Sequence, residues 1–220
     1  MNYERIKNLN CLIVAGGTID NDLLKATYKE LGNPYIFGVD RGCIYLLENN
    51  LPVSKAVGDF DSLNEQEKVI IDKFFDKEEL NPIKDDTDTE HALKMAIEMK
   101  PEKIVLLGCS GTRLDQTFAS IRLLKLAADA GVEAVMLDGH NRIRVARGSS
   151  IISKNDRFGK YISILPFGDR IDGLKIRGFK YDTDGLSIDA ASTRGVSNEL
   201  THDVGIISCD DYYVLMETLD

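Results

Sequence analysis

Through its first 143 residues the chain alternates strand-sized apolar runs with amphipathic helical stripes. The runs are Leu9–Ala15, Tyr35–Val39, Lys55–Val57, Lys103–Leu107 and Val132–Leu137. Between them, Asn21–Leu31 carries Leu23, Leu24, Thr27, Tyr28 and Leu31 at helical spacing, with Gly32 as a stop. Cys43–Asn49 and Leu114–Ala130 read as helices. Asn64 can cap another, with Glu67 as its capping-box partner. Thr87 or Asp88 can cap one more, whose apolar positions include Ala92, Leu93, Ala96 and Ile97. Strand–helix alternation of this kind builds a mostly parallel sheet flanked by helices. Such sheets bind ligands just outside the carboxyl ends of their strands.

After Ile143 the helical period is lost. Short β-rich pieces follow, at Arg142–Ala146, Tyr161–Leu165, Leu174–Gly178, Gly185–Asp189, Val204–Ser208 and Tyr212–Glu217, separated by Gly, Asp and Asn turns. This texture predicts an antiparallel β-sandwich. The expected organisation is an α/β domain over 1–143 and a β-sandwich domain over 144–220. No low-complexity linker lies between them.

Composition narrows the function classes. The formal net charge is −9, and no basic stripe supplies the phosphate contacts of a nucleic-acid binder. The longest apolar runs are too short to span a membrane, and Met1–Asn10 lacks the apolar core of a signal peptide. The expectation is a cytoplasmic protein with no nucleic-acid or membrane partner. Cys11, Cys43, Cys109 and Cys209 are scattered without metal-ligand spacing, and Cys11 and Cys109 read as small buried hydrophobes.

The strand ends carry the chemistry. Gly58-Asp59-Phe60-Asp61-Ser62 places two carboxylates two residues apart just past a strand, an arrangement that attracts a hard divalent cation such as magnesium. A solvated Asp-rich turn is the competing reading. Lys84-Asp85-Asp86-Thr87-Asp88 crowds three carboxylates at a helix start, which calls for a nearby positive charge. Gly108 to Asp115 forms a glycine-bearing loop ahead of a helix and contains Arg113, suited to bidentate phosphate contact. Gly16-Gly17-Thr18 reads first as a tight turn and second as a phosphate nest, because the full G-x-G-x-x-G spacing is absent. His91 and His202 read as solvated or core residues ahead of any catalytic role. Acidic or phosphate-binding groups on four strand ends of one sheet point to metal-assisted transfer of a phosphoryl-type group.

In order along the chain, Val39-Asp40-Arg41-Gly42, Gly58–Ser62, Lys84–Asp88, Gly108–Gln116, Gly178-Phe179-Lys180-Tyr181 and Gly195-Val196-Ser197-Asn198-Glu199 resemble the motifs of the thiamine pyrophosphokinase family, its bacterial members above all. The resemblance implies an enzyme that transfers pyrophosphate from ATP to the thiamine hydroxyl, with magnesium as cofactor and AMP as co-product. It also implies a homodimer with thiamine bound between subunits through the C-terminal domains. Carried over by position, Asp59, Asp61 and Asp88 are expected at the metal, where Asp88 is also the candidate proton acceptor. Arg113 is expected on the phosphates, Asp115 at the nucleotide, and Ser197 and Asn198 at thiamine. Asp40, Gly42, Ser62, Asp85, Thr87, Ser110, Gly111 and Gln116 complete the expected binding set; Gln116 stands where many bacterial members have His. Two other readings compete. A haloacid-dehalogenase-like phosphatase also places Asp-x-Asp after a strand, though there the motif normally opens the chain. A non-catalytic nucleotide sensor would bind ATP without turnover.

Overall fold

The structure is a computed structural model that describes residues 9–60, 63–74, 77–79 and 86–220. It divides into two compact units at Gly139/His140, a few residues ahead of the boundary expected from the change of texture.

In chain order the N-terminal unit contains β1 (Asn10–Val14), α1 (Asn21–Leu31), β2 (Tyr35–Val39), α2 (Gly42–Glu48), β3 (Lys55–Gly58), α3 (Glu65–Phe74), β4 (Lys77–Glu79), α4 (Asp88–Glu98), β5 (Lys103–Leu107), α5 (Leu114–Asp129) and β6 (Glu133–Leu137). Its strands pair in parallel in the order β6-β5-β1-β2-β3-β4. Cys11 to Val14 of β1 are fully buried, as befits a strand covered on both faces. From β1 the chain builds outward through β2, β3 and β4, then returns to build β5 and β6 on the other side. The order therefore reverses between β1 and β5, and the carboxyl ends of those strands open the ligand crevice of such a sheet.

Local chemistry sets the helix ends. The Asp20 carboxylate accepts the N–H groups of Asp22 and Leu23 at the start of α1, and Gly32 closes it at φ 63°. Asn64 Oδ1 accepts from Gln66 and Glu67 while Glu67 Oε2 accepts the Asn64 N–H, the reciprocal box read from the sequence. Thr87, rather than Asp88, caps α4, accepting the Glu90 N–H at 3.2 Å.

The C-terminal unit contains β7 (Asn141–Ser153), β8 (Tyr161–Pro166), β9 (Arg170–Arg177), β10 (Thr183–Asp189), β11 (Asn198–Glu199) and β12 (Val204–Thr218). The two last β pieces expected from sequence are one strand, β12, with a register shift between Cys209 and Tyr213. β12 pairs with β7 on either side of the shift. On its other edge Ile206–Ser208 pair with β9, and Tyr213–Thr218 pair with β8. The β7–β12 ribbon thus takes part in two antiparallel sheets, one extended by β9 and β10, the other by β8 and β11. Their inner faces share a core that includes Ile162, Ile164, Ile171, Leu174, Ile207, Tyr213 and Leu215. Near its edge, the buried Glu217 carboxylate takes two hydrogen bonds from Arg142, at 2.9 and 2.5 Å, and the Phe158 N–H at 3.0 Å.

No helix among the described residues is long and apolar enough to cross a membrane.

Candidate active site

The register Val39↔Val57 sets the carboxyl ends of β2 and β3 level. Asp40 follows β2, Asp59 follows β3, and Asp88 opens α4. One carboxylate oxygen from each lies within 4.8 Å of the others. The backbone bends sharply to achieve this. Asp40 and Phe60 adopt φ values of 47° and 55°, a left-handed region unusual for side-chain-bearing residues. The Asp40 carboxylate accepts the Phe60 N–H at 3.3 Å and lies against Gly58, where a Cβ would collide with its Oδ1. Glycine is required at that position, and Gly58 also holds φ 148°.

Burial, then the charge of Asp88 and a hydrogen bond to it, push the Asp40 carboxyl up to about 7; the Phe60 N–H acts the other way and Asp59 adds to the rise. Three acidic groups held this close repel one another. The oxygen-only donor set fits a hard divalent cation, which would relieve the repulsion.

Beside this cluster lies a cleft of about 270 Å³ at the β1/β5 reversal point. Its walls are Ala15-Gly16-Gly17 after β1, Val39 and Asp40 after β2, Thr89 on α4, the loop Gly108–Arg113 after β5, and Gln116, Thr117 and Ser120 on α5. The two glycine turns are stitched together: the Gly17 N–H donates to Gly108 O and the Thr18 N–H to Ser110 O, each at 2.8 Å. A Cβ on Gly17 would strike both carbonyl oxygens. The Ser110 hydroxyl donates to Asp138 at 2.8 Å, tying the loop to the end of β6. This builds a narrow, backbone-lined opening at the N-terminus of α5, where N–H groups and the helix dipole favour anions.

The expected site residues distribute as follows. Asp40, Asp59 and Asp88 come together, although Asp40 was expected in the binding set and not at the metal; its position after a strand, like that of Asp59, was the available signal. Ser110, Gly111, Arg113 and Gln116 line the cleft. Arg113 and Asp115 are exposed and grip each other, with Nη2–Oδ2 at 2.6 Å and Nε–Oδ1 at 3.2 Å. Gly42 starts α2 against β1, where a Cβ would strike Val14 O. Thr87 serves as the α4 cap. Asp61, Ser62 and Asp85 lie outside the described residues. Of the cysteines, Cys11, Cys43 and Cys109 are buried thiols pushed up to about 12 by desolvation, which removes them as nucleophiles.

Asn198 lies in the C-terminal unit, in the wall of a second pocket of about 540 Å³. Ile176, Leu186, Ile188 and Val196 give that pocket an apolar floor; Tyr181, Lys180 and Arg194 add an aromatic ring and two cations. Ser197 is exposed at φ 59°, its N–H held by the buried Ser163 hydroxyl at 3.1 Å. The sequence reading passed over Tyr181 as a site residue, although it closes the quoted Gly178–Tyr181 motif.

Two family models match the chain: the thiamin pyrophosphokinase catalytic domain over residues 30–136, and the thiamin pyrophosphokinase vitamin B1 binding domain over residues 149–214. A thiamine pyrophosphokinase of Bacillus subtilis (strain 168) is 34% identical over 172 residues, covering 78% of this chain and 80% of the relative. A crystal structure of thiamine pyrophosphokinase from Bacillus subtilis superposes with a TM-score of 0.85 at 32% identity, covering 96% of this chain and 99% of that one. One from Geobacillus thermodenitrificans superposes at 0.84 with 28% identity, covering 96% and 98%.

Proposed function

The chain belongs to the thiamin pyrophosphokinase family, a transferase family of thiamine diphosphate biosynthesis, and from that premise we propose that it transfers the pyrophosphoryl group of ATP to the hydroxyl of thiamine and releases AMP. The observation that carries this reading is the carboxylate trio Asp40, Asp59 and Asp88 beside a glycine-walled cleft at the sheet's reversal point.

Asp40, Asp59 and Asp88, with Asp61, are the proposed holders of magnesium. Bound there, the ion would neutralise charge on the polyphosphate and help align it for attack. The rest of the work falls to the chain. Backbone N–H groups at the start of α5 and the glycine turns receive phosphate oxygens. Arg113 exchanges its exposed contact with Asp115 for the phosphates; a surface ion pair holds it only weakly, and its planar fork suits a bidentate anion. Ser110, Gly111 and Gln116 line the nucleotide's path. Such chemistry depends mainly on positioning and electrostatic stabilisation, which fixed backbone dipoles and a rigid sheet edge supply.

The pocket lined by Tyr181 and Asn198, with Ser197 next to it in the chain, is the proposed seat of thiamine. The protein is proposed to act in the cytoplasm as a two-fold homodimer, the commonest soluble assembly, with the acceptor seat of one subunit serving the carboxylates of the other. A solution mass of one 24.5 kDa chain would refute that assembly.

The direct test is incubation with ATP, magnesium and thiamine, followed by separation of products. Thiamine diphosphate and AMP in equal amounts are expected. ADP as co-product, or orthophosphate released from a monoester with no acceptor dependence, would overturn the reading.

A further inference from the structure

Asn198 does two jobs with different parts of itself. Its backbone pairs with Ile162 in the β11–β8 ladder. Its side chain turns the other way, into the loop that carries Tyr181. Asn198 Oδ1 accepts the Tyr181 N–H at 3.1 Å and its own neighbour's, from Glu199, at 2.9 Å. Asn198 Nδ2 donates to Tyr181 O at 3.0 Å. Asn198 is only 6% exposed, its side-chain oxygen accepts two hydrogen bonds, and one of its two amide hydrogens is committed.

These bonds continue a ladder. Thr201 N–H donates to Gly178 O, Phe179 and Leu200 form an antiparallel bridge, and Lys180 N–H donates to Glu199 O at 2.8 Å. In an antiparallel ladder the next pair, Tyr181 opposite Asn198, is a non-hydrogen-bonded one, and the Asn198 backbone is engaged with β8. The Asn198 carboxamide supplies the two bonds to Tyr181 that the backbone ladder does not, since an amide side chain presents the same donor and acceptor as a peptide group. It fixes both the N–H and the C=O of Tyr181. Tyr181, 61% exposed, then stands in the wall of the 540 Å³ pocket.

We propose that Asn198 is a positioning residue for the acceptor: it acts through Tyr181, clamping that residue's backbone so that its ring forms one wall of the thiamine seat. This rests on the placement of thiamine in that pocket. The clamp itself does not, so the two can fail separately.

The experiment combines enzyme kinetics with amide hydrogen exchange on wild type, Asn198→Ala, Asn198→Asp, Tyr181→Ala and the Asn198→Ala/Tyr181→Ala double variant. Asn198→Ala is expected to raise the thiamine KM about tenfold, with the ATP KM unchanged, and to speed exchange at the Tyr181 amide. Asn198→Asp keeps the acceptor and loses the donor, so it should fall between wild type and Asn198→Ala. The double variant should be no worse than Tyr181→Ala alone, because the clamp has nothing left to position. Multiplicative KM effects would make Asn198 an independent thiamine contact and overturn the proposal. So would unchanged Tyr181 exchange in Asn198→Ala. If Asn198→Ala fails to fold, Asn198→Asp carries the same comparison. A wild-type protein that makes no thiamine diphosphate would sink the functional reading, while the exchange measurement would still decide the clamp.

Discussion

Asp40→Asn separates what the carboxylate trio costs from what it does. Raising a carboxyl from 3.8 to about 7 places a penalty on its ionised form of about 4 kcal/mol at most, at 1.36 kcal/mol per pK unit. Asp40 is only partly buried, so solvent screening makes the penalty realised smaller; about 2 kcal/mol is the working figure. The direction follows from linkage. The folded protein binds this proton more tightly than the unfolded chain does, so its contribution to stability is greatest below the unfolded value near 4. It is lost as pH rises towards 7 and stays lost above. Metal-free protein should therefore melt at a higher temperature near pH 5 than near pH 8, as far as this group is concerned.

Asn is the right probe. It keeps an oxygen for the Phe60 N–H and tolerates the left-handed backbone at φ 47°. In chelator at pH 8, Asp40→Asn should melt about 4–8 °C above wild type, given 2–4 °C per kcal/mol for a chain of this size. Between pH 5 and 8 its curve should be flatter. Added magnesium should raise the wild-type melting temperature at pH 8 and do much less for the variant, because one oxygen ligand has lost its charge. Turnover should fall at the same time. An Asp40→Asn protein with the wild-type pH slope and melting temperature in chelator would refute the crowding argument, and with it the inference that the trio wants a cation.

Asp61→Asn should lower turnover at saturating magnesium by a hundredfold or more, about 2.7 kcal/mol of barrier, with the fold intact by circular dichroism; near-wild-type turnover removes Asp61 from the site. Arg113→Lys keeps the charge and loses the fork, so the ATP KM should rise severalfold while the thiamine KM and melting temperature stay put; an unchanged ATP KM would make Arg113 a surface residue. Glu217→Ala would leave Arg142 and the nearby Arg144 without their buried counter-charge and free the Phe158 N–H; a loss of about 3–5 kcal/mol in denaturant unfolding is expected, and a loss under 1 kcal/mol would contradict the burial argument.

Much of the fold was legible because local chemistry and tertiary packing agree. The apolar run Leu9–Ala15, the Gly32 stop and the Asn64–Glu67 box each specify their element without reference to the rest of the chain. Two features defeated sequence reading. Asp210-Asp211 looks like a turn, yet β12 passes straight through it. The register shift absorbs the polar pair, with the Asp210 carbonyl receiving Arg147 Nε at 2.7 Å and the Asp211 carboxylate receiving the Asp172 N–H at 3.0 Å. Strand β4, Lys77-Glu78-Glu79, has no apolar residue to announce it and exists through parallel pairing with β3.

The site shows the same division at finer scale. That acidic residues follow strands is written in the sequence; which of them meet is decided by register. Val39 opposite Val57 puts Asp40 level with Gly58, so the Asp40 carboxylate occupies the space a side chain at 58 would fill, and Asp59 stands one residue beyond. A slip of one residue between β2 and β3 would turn the β3 side chains to the opposite face of the sheet and separate the pair. Gly58 is thus the link between motif and geometry: in the fold it is the gap through which Asp40, expected in the binding set but not at the metal, reaches Asp59 and Asp88.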